Sequence, residues 1–294
     1  MSDSLEELLA ASRKPAEFIL SAFGDEIASD LDEQLKVLEE EGIRFIELRS
    51  AWGKNVADFS DEDLKQIEML LATHSIGVSA IGSPIGKVPI TAPFEPELQR
   101  FERILEIADW LGSSYIRLFS FFMPEEEGEG AYARYRGEVI RRLERFAELA
   151  QPYGLILLHE NEKGIYGDTA ERCANILDSV GSSNLRAVFD PANFVQCGVK
   201  PFSEAYPLLE NHVTYLHVKD AFFADGRVVV AGEGEGEVEQ VLAALNQKGY
   251  AGFVSLEPHL SAAGRYGGFS GPQLFHEAVN ALKGVLEKIG ANPS

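Results

Sequence analysis

The chain has 294 residues, of which 26 are Lys or Arg and 47 are Asp or Glu, so its formal net charge is −21. A protein this acidic is expected to bind neither nucleic acid nor anionic membranes, because both are recognised through basic surfaces. Hydrophobic residues make up 45% of the chain, which excludes extensive disorder. No uncharged apolar run approaches the roughly 20 residues that span a bilayer.

Two features of the sequence predict a soluble, cytoplasmic protein. The N-terminal segment carries Asp3, Glu6 and Glu7 where a signal peptide would carry Lys or Arg, and it lacks a long apolar stretch. The two cysteines, Cys173 and Cys197, form no CxxC pattern. We therefore expect them to be free, buried thiols in a reducing compartment.

Short β-rich runs alternate with segments of helical period along the chain. Several of these runs are almost entirely apolar, which indicates strands buried on both faces, as in a parallel sheet covered by helices. The strands follow one another at intervals of about 25 to 40 residues, the size of one βα unit. The eight predicted strands are Phe18–Phe23, Ile43–Leu48, Gly77–Ile81, Tyr115–Phe119, Leu155–His159, Leu185–Phe189, Val213–His217 and Phe253–Leu256.

Between the strands, polar residues mark the helices. Ser60 precedes an acidic first turn, and Asp168 has Glu171 three residues later, so both are predicted helix N-caps. Residues 134–148 interleave five Arg with three Glu, a pattern typical of a solvated helix face with opposite charges three to four residues apart.

Eight such units without a linker or a low-complexity tract predict one domain, a single (β/α)8 TIM barrel over residues 1–294. Residues 1–17 would form an N-terminal extension and residues 287–294 a C-terminal tail. A doubly wound open sheet is the alternative, but no strand is followed by a phosphate-binding GxGxxG or GxxxxGK turn. The run Gly232–Gly236 is superficially similar, yet its spacing differs and its two glutamates would repel phosphate. We predict a loop there that leads into a helix near Val238–Leu245.

The last four predicted strands end in an unusual set of polar side chains. Active sites of such barrels lie at the carboxyl ends of the strands. These four strands end in Glu160, Asp190, His217 and Glu257. Because alternate side chains of a strand share a face, each of the four continues a mostly apolar, inward-facing column. The residues two positions earlier in these columns are Leu158, Val188, Tyr215 and Ser255.

Three carboxylates and one imidazole are thus predicted to converge at the mouth of the barrel. Three carboxylates cannot all stay ionised in a partly dry pocket without compensation. A divalent cation is the simplest compensation, and oxygen-rich ligation with one imidazole suits Mn²⁺ or Mg²⁺, with Co²⁺, Fe²⁺ or Zn²⁺ as alternatives. Taken singly, each carboxylate is equally typical of an ion pair, and the histidine of a buried core residue.

Four sequence strings carry a resemblance to a known family. They are His159–Lys163 (HENEK), Phe189–Asn193 (FDPAN), Leu216–Ala221 (LHVKDA) and Ser255–His259 (SLEPH). In these strings the chain resembles the xylose-isomerase-like barrel superfamily, and within it the sugar phosphate isomerase/epimerase branch. That branch includes ketose 3-epimerases, hydroxypyruvate isomerases and inosose dehydratases. The resemblance extends from Phe18 to about Leu286.

This resemblance implies that Glu160, Asp190, His217 and Glu257 are metal ligands and that the two glutamates are also the acid–base pair. It implies a divalent-metal-dependent sugar or keto-polyol isomerase or epimerase that acts through a metal-stabilised enediolate. An inosose-type dehydratase on the same metal site and a non-catalytic sugar-binding barrel are the alternatives. A DNA-repair nuclease with this barrel would need more histidines for a multi-zinc site than the 6 present.

The chain departs from the ketose 3-epimerase pattern at two places. Those enzymes carry a His three residues after the sixth-strand Asp, where this chain has Asn193. They carry an Arg a few residues after the seventh-strand His, whereas here Lys219 lies two residues on and Arg227 much later. We expect Asn193 to hydrogen-bond a substrate hydroxyl, and Lys219 to bind an oxyanion or act as an acid. Pairing of Lys219 with Asp220, Asp190 or Glu162 is the alternative.

Further candidates for substrate contact are Glu47, Trp52, Arg117, Phe121 and His259, with internal ion pairs or core packing as the alternative. Apolar walls would keep the glutamates basic enough to act near neutral pH. The aromatic residues that could supply them are Trp52, Phe119, Phe121 and Phe122. No phosphate-binding cluster is visible, which favours an unphosphorylated sugar, cyclitol or hydroxy-keto acid as substrate. The resemblance also makes a homo-oligomer formed through the outer helices or the loop face possible.

Overall fold

The computed structural model describes residues 16–261 and 270–291, which form a closed barrel of eight parallel strands in chain order, with β1 between β2 and β8. The predicted (β/α)8 fold class is confirmed. The strands are β1 Glu17–Phe23, β2 Phe45–Leu48, β3 Gly77–Ile81, β4 Tyr115–Leu118, β5 Ile156–Glu160, β6 Leu185–Phe189, β7 Val213–Val218 and β8 Ala251–Leu256.

Helices surround the barrel and bury one face each against it. They are α1 Leu31–Glu40, α2 Asp61–His74, α3 Glu95–Trp110, α4 Gly130–Ala150, α5 Ala170–Val180, α6 Pro191–Gln196, α7 Tyr206–Leu209, α8 Val238–Lys248 and α9 Gly271–Lys288. Most of the predicted N-terminal extension, residues 1–15, and the last three residues of the predicted tail lie outside the described residues. The rest of the tail differs from expectation, because α9 continues to Lys288.

Helix starts and faces follow the sequence in part. Ser60 is the N-cap of α2, as predicted, and it forms a capping box with Asp63. At α5, however, the N-cap is Thr169, whose hydroxyl accepts a hydrogen bond from the Arg172 amide. The carboxylate of Asp168, the predicted N-cap, instead binds the Arg172 side chain and the Tyr132 hydroxyl.

The charged face of α4 pairs internally, as predicted, through Arg141 with Glu138 and Arg145 with Glu148. Arg142 is the exception to the predicted solvated face, because it is buried and donates to the Ala92 carbonyl. Both cysteines are free, Cys173 buried and Cys197 half-buried. Among the described residues, no helix is both long and apolar enough to cross a membrane.

The interior of the barrel is a small core separate from the one beneath the helices. It consists of Ala80, Leu158, Val188 and Tyr215, with Tyr115, Ile156 and Phe253 packed against it. Leu158, Val188 and Tyr215 stand two residues before Glu160, Asp190 and His217, so the predicted inward columns are confirmed for these three strands. The columns deliver the polar side chains to the carboxyl-terminal mouth.

The mouth is built from short hairpins and turns that follow the strands. One hairpin, after β2, pairs Ser50–Ala51 with Lys54–Asn55, and another, after β7, pairs Asp220–Ala221 with Val228–Val229. Three non-glycine residues beyond strand ends have positive φ, namely Trp52 (52°), Phe121 (67°) and His259 (46°). Such backbone costs about 1–3 kcal/mol per residue and is common at functional sites.

Candidate metal centre

Four side chains from four strand ends meet at the mouth of the barrel. Glu160, Asp190, His217 and Glu257 are all buried, and each offers one ligand atom within 4.8 Å of the others. His217 Nδ1 lies 3.3 Å from Glu160 Oε1, 4.0 Å from Asp190 Oδ2 and 3.9 Å from Glu257 Oε2. The structure thus brings together the four residues that the strand ends had singled out.

Two of these ligand atoms have charged neighbours but no hydrogen bond of good geometry. Asp190 Oδ2 and His217 Nδ1 are buried, and among the described residues their neighbours are Lys219 Nζ at 3.0 Å and Glu160 Oε1 at 3.3 Å. Buried polar atoms are rarely left unsatisfied, so both atoms are available to a cation, which would replace the proton on His217. Three carboxylates and one imidazole are donors that suit a divalent cation. The residues present therefore fit such an ion.

Glu47 orients His217. The Glu47 carboxylate is fully buried, and its oxygens lie 3.2 and 3.3 Å from His217 Nε2. The imidazole also makes an edge-on contact with Phe23 at 5.0 Å between ring centroids. Burial lowers the pKa of His217, but the charges of Glu47 and Glu160 outweigh it and raise the pKa to about 10. Glu47 was a candidate for substrate contact, and the structure places it in an internal ion pair instead.

The two carboxylate oxygens of Asp190 have different roles, since Oδ1 caps a helix and Oδ2 faces the cluster. Its Oδ1 caps α6 by accepting a hydrogen bond from the Asn193 amide at 2.8 Å. The Asn161 side chain donates to the Asp190 carbonyl oxygen at 2.9 Å and accepts from the Asp190 backbone amide at 3.0 Å. Burial raises the pKa of Asp190 to about 6, although the Lys219 ammonium opposes this shift.

Glu160 is held by two neighbours. The Asn193 side-chain amide donates to its Oε1 at 3.0 Å, and Arg117 Nη1 donates to its Oε2 at 3.2 Å. Burial raises the pKa of Glu160, but the charges of His217 and Arg117 prevail and lower it to about 2. Asn193 and Arg117, both expected to contact substrate, therefore hold a glutamate of the cluster.

Glu257 is surrounded by cations. Arg49 Nη1 lies 2.5 Å from its Oε1, and Lys219 Nζ lies 3.0 Å from its Oε2 and equally close to Asp190 Oδ2. Burial raises the pKa of Glu257, yet Lys219, His259 and Arg49 hold it well below its usual range. Of the pairings weighed for Lys219, the structure has the one with Asp190. Glu162 pairs with Lys87 instead.

The sequence reasoning missed a second ring of charges. The Arg49 guanidinium is bound by both oxygens of Asp25 at 2.8 Å and by Glu26 at 3.2 Å. Arg49 is the first residue after β2, and Asp25 and Glu26 closely follow β1. Naming the polar residues that follow β1 and β2, as was done for the last four strands, would have identified all three residues.

His259 lies at the rim of the site. Its Nδ1 is 2.9 Å from Glu26 Oε1, its backbone amide donates to Glu26 Oε2 at 2.9 Å, and its side chain is one-third exposed. Glu26, Glu257 and His259 form a second group whose ligand atoms lie within 4.8 Å of one another. Contact between His259 and a substrate stays a prediction.

The aromatic residues divide between the site and the core. Phe119 is buried between Arg117, whose guanidinium lies 5.0 Å from the ring centroid, and the Lys87 ammonium, at 4.2 Å. Phe121 does not line the mouth as expected, because it is fully buried and stacks on Phe146 of α4 at 6.3 Å. Trp52 is half-buried against the main core.

Curated proteins with similar sequences include three enzymes. The probable L-ribulose-5-phosphate 3-epimerase UlaE of Mycoplasma pneumoniae is 24% identical over 195 residues, which are 65% of this chain and 63% of that protein. Inosose isomerase of Halalkalibacterium halodurans is 24% identical over 78% of this chain and 83% of that protein. The 3-dehydroshikimate dehydratase of Bacillus anthracis is 22% identical over 63% and 65%. The chain thus spans less than two thirds of two of these relatives.

Solved structures share the fold along nearly the whole chain. A D-tagatose 3-epimerase-like protein has a TM-score of 0.76 at 19% identity, covering 93% of this chain and 98% of that one. The IolI protein with a bound zinc atom has a TM-score of 0.71 at 19% identity, covering 92% and 99%. A Mycobacterium smegmatis protein in complex with magnesium has a TM-score of 0.65 at 18% identity, covering 94% and 99%.

The family model described as xylose isomerase-like TIM barrel matches residues 35–284, most of the chain. The match includes the ends of β5, β6, β7 and β8, where the four converging side chains lie. The resemblance inferred from the sequence strings is confirmed. This chain belongs to the xylose isomerase-like TIM barrel family.

Proposed function

We propose that this protein is a divalent-metal-dependent isomerase or epimerase of an uncharged sugar or cyclitol ketone. The observation that carries the proposal is the convergence of Glu160, Asp190, His217 and Glu257 within 4.8 Å at the barrel mouth. These four residues would hold the ion, with Mn²⁺ or Mg²⁺ favoured by the oxygen-rich donors. When bound, the ion would polarise a carbonyl and stabilise negative charge on the oxygen atoms beside the reacting carbon.

The two glutamates supply the acid–base chemistry. Each carboxylate is fixed by two donors, Glu160 by Asn193 and Arg117, and Glu257 by Arg49 and Lys219. Both carboxyls have a lowered pKa and are ionised near neutral pH, which is the form that a base requires. The cations beside them also make each carboxylate a weaker base than the expected apolar walls would. One glutamate, ionised, would take up the proton beside the carbonyl. Epimerisation then requires the other glutamate to carry a proton from water and to give that proton to the opposite face of the same carbon. Isomerisation requires the first glutamate to give its proton back to the neighbouring carbon.

The buried charges around the cluster favour an uncharged substrate. Six buried carboxylates face three largely buried cations, so one divalent ion would leave a single excess negative charge. A phosphate or carboxylate brought into this site would add to that excess. The carboxylates are Asp25, Glu26, Glu47, Glu160, Asp190 and Glu257, and the cations are Arg49, Arg117 and Lys219.

A dehydratase is the second candidate, favoured by the position of Lys219. Its ammonium lies 3.0 Å from both Asp190 and Glu257, where a general acid could protonate a departing hydroxyl. One of the curated relatives is a 3-dehydroshikimate dehydratase. Loss of water from the product separates this reaction from isomerisation, which conserves mass.

The experiment is an exchange screen in deuterium oxide with Mn²⁺, using unphosphorylated ketoses and inososes, their phosphates, and hydroxypyruvate. We expect deuterium at the carbon beside the carbonyl of an uncharged ketone and a product of equal mass. Glu257→Gln should abolish the exchange, whereas Glu171→Gln, exposed on α5, should preserve it. Absence of exchange with Mn²⁺, Mg²⁺, Co²⁺, Fe²⁺ and Zn²⁺ alike would overturn the proposal.

A further inference from the structure

The backbone amides of the glycine run Gly232–Gly236 bind a carboxylate of the same chain, that of Asp220. The Asp220 carboxylate is buried and accepts four backbone hydrogen bonds. Its Oδ2 accepts from the Gly232 and Gly234 amides at 3.0 Å each, and its Oδ1 accepts from Gly236 at 2.7 Å and Ala221 at 2.8 Å. Successive backbone N–H groups directed at one point form an anion-binding concavity.

Glycine at alternate positions of the run lets the backbone come close to the Asp220 carboxylate. A Cβ on Gly236 would lie 2.6 Å from Asp220 Oδ1, and a Cβ on Gly234 would collide with Asp220 and lie 2.7 Å from the Ala221 carbonyl oxygen. Glycine is therefore required where the backbone approaches the carboxylate. Between them, the amide of Glu235 donates to the Ala221 carbonyl at 2.8 Å, and its carboxylate accepts from the Phe223 amide at 2.8 Å.

This arrangement lies directly against the candidate metal centre. Asp220 follows Lys219, whose ammonium is 3.0 Å from both Asp190 and Glu257. A Cβ on Gly236 would also lie 3.3 Å from Pro191, the residue after Asp190. The glycine run therefore touches the segments that carry both Lys219 and Asp190. A lysine side chain is long and flexible, so a fixed backbone at Lys219 reduces the volume that its ammonium can explore.

We propose that Asp220, clasped by the glycine run, is a positioning residue that holds the Lys219 ammonium against Asp190 and Glu257. This rests on the proposed function, because the contact matters for turnover only if those carboxylates belong to the working site. Among the described residues, the Asp220 carboxylate bonds to backbone amides outside the cluster, and it acts through the backbone of Lys219. The amides of Gly232, Gly234 and Gly236 are bonded to Asp220 and are therefore not available to a phosphate.

Asp220→Asn tests the proposal, because it keeps the side-chain shape but turns one acceptor into a donor that faces backbone N–H groups. Glu233→Gln is the matched control, since it removes a charge from an exposed position of the same loop. In the wild type, hydrogen exchange should find the Gly232, Gly234 and Gly236 amides protected. Asp220→Asn should speed their exchange by about tenfold or more, the worth of a charge-assisted hydrogen bond, and Glu233→Gln should not.

The second readout is the reactivity of Lys219 towards an acylating reagent, followed by mass spectrometry of the full chain. Asp220→Asn should increase acylation at Lys219 while leaving acylation of exposed Lys65 unchanged. In the exchange assay, Asp220→Asn should lower turnover, and adding it to Lys219→Met should lower turnover no further. Mn²⁺ affinity should not fall in Asp220→Asn, because none of the four ligands is altered.

Several results would overturn the proposal. They are unprotected glycine amides in the wild type, unchanged Lys219 acylation in Asp220→Asn, or losses of turnover that simply add in the double variant. If Asp220→Asn does not fold, Gly234→Ala replaces it. Amide exchange in the wild type still decides whether the glycine amides are bonded to Asp220. A wild type that binds no Mn²⁺ would refute the proposed function alone, since the amide and acylation results do not depend on metal.

Discussion

The imidazole of His217 and the carboxylate of Glu47 are 170 residues apart in the chain and 3.2 Å apart in the barrel. Both side chains are fully buried. Their contact uses His217 Nε2, so that Nδ1 faces Glu160, Asp190 and Glu257. A carboxylate behind a ligating histidine fixes the orientation of the ring and increases its basicity. In the proposed metal site, Glu47 would therefore orient His217 towards the ion without contacting the ion itself.

Glu47→Gln should therefore weaken Mn²⁺ binding although all four proposed ligands remain. We expect a loss of affinity of roughly 10- to 100-fold, the usual effect of removing such a supporting carboxylate. Isothermal titration with Mn²⁺ measures it, and Glu171→Gln provides a matched loss of charge at an exposed site. Equal Mn²⁺ affinity in Glu47→Gln and the wild type would mean that Glu47 does not orient the histidine.

Arg49→Met should destabilise the protein, because it removes the cation shared by Asp25, Glu26 and Glu257. Breaking a buried ion pair by removing one partner costs about 3–5 kcal/mol. Urea unfolding at neutral pH measures the loss. Arg134→Met is the control, since Arg134 is exposed and its ion pair with Glu127 lies at the surface. The stability of this variant should stay near that of the wild type.

The loss of stability in Arg49→Met should change with pH in a defined direction. Arg49 helps to lower the pKa of Glu26 and Glu257 against the opposing effect of burial. Stability from carboxyls with a lowered pKa is present above their unfolded pKa and is lost as the pH falls through the folded one. The difference between wild type and Arg49→Met should be full from neutral pH down to about pH 4.3, the unfolded Glu value, and should shrink only below it. A difference that grows on acidification would contradict this explanation.

His74 should make a stability contribution with the opposite pH dependence. It lies at the end of α2 and contacts Asp32 and Glu39 of α1 at 3.1 Å each. The hydrogen bond to Asp32, aided by Glu39 and opposed by partial burial, raises the pKa of His74. A raised pKa gives stability that is full below the unfolded value, about 6.5, and is lost as the pH rises through the folded pKa.

We therefore expect His74→Gln to reduce the unfolding free energy more at about pH 6 than at about pH 9, as measured by urea denaturation. Replacing both partners, in Asp32→Asn/Glu39→Gln, should remove most of this difference between the two pH values. A destabilisation by His74→Gln that is the same at both pH values would show that the histidine's charge is not involved.

The sequence was sufficient for the barrel and for the cluster because both depend on local periodicity. Alternation along β5, β6 and β7 gave the direction of the last side chain, and parallel strands bring their carboxyl ends to one edge. The alternation ends with the strand, however. Phe121 lies three residues beyond β4 with φ of 67°, and this backbone turns the ring towards α4 and away from the mouth.

Partners that are distant in the chain were not predictable from one sequence. The alternation of side chains along β2 predicts that Glu47 points inward. Its pairing with His217, 170 residues later, arises only when the barrel closes. The glycine run was likewise predicted to be only a loop that leads into a helix, because Asp220, the anion that its amides bind, lies 12 to 16 residues earlier. Arg49 was missed although Glu47, two residues earlier, was a candidate, because Arg49 lies just beyond the end of β2 and its partners Asp25 and Glu26 follow β1.

Anomalous diffraction from crystals of the protein grown with Mn²⁺ tests the central claim most directly. The account predicts one strong anomalous peak about 2.0–2.5 Å from an oxygen of Glu160, Asp190 and Glu257 and from His217 Nδ1, with Glu47 still on Nε2. A map without a peak between these four side chains, or with Mn²⁺ bound only elsewhere, would contradict it.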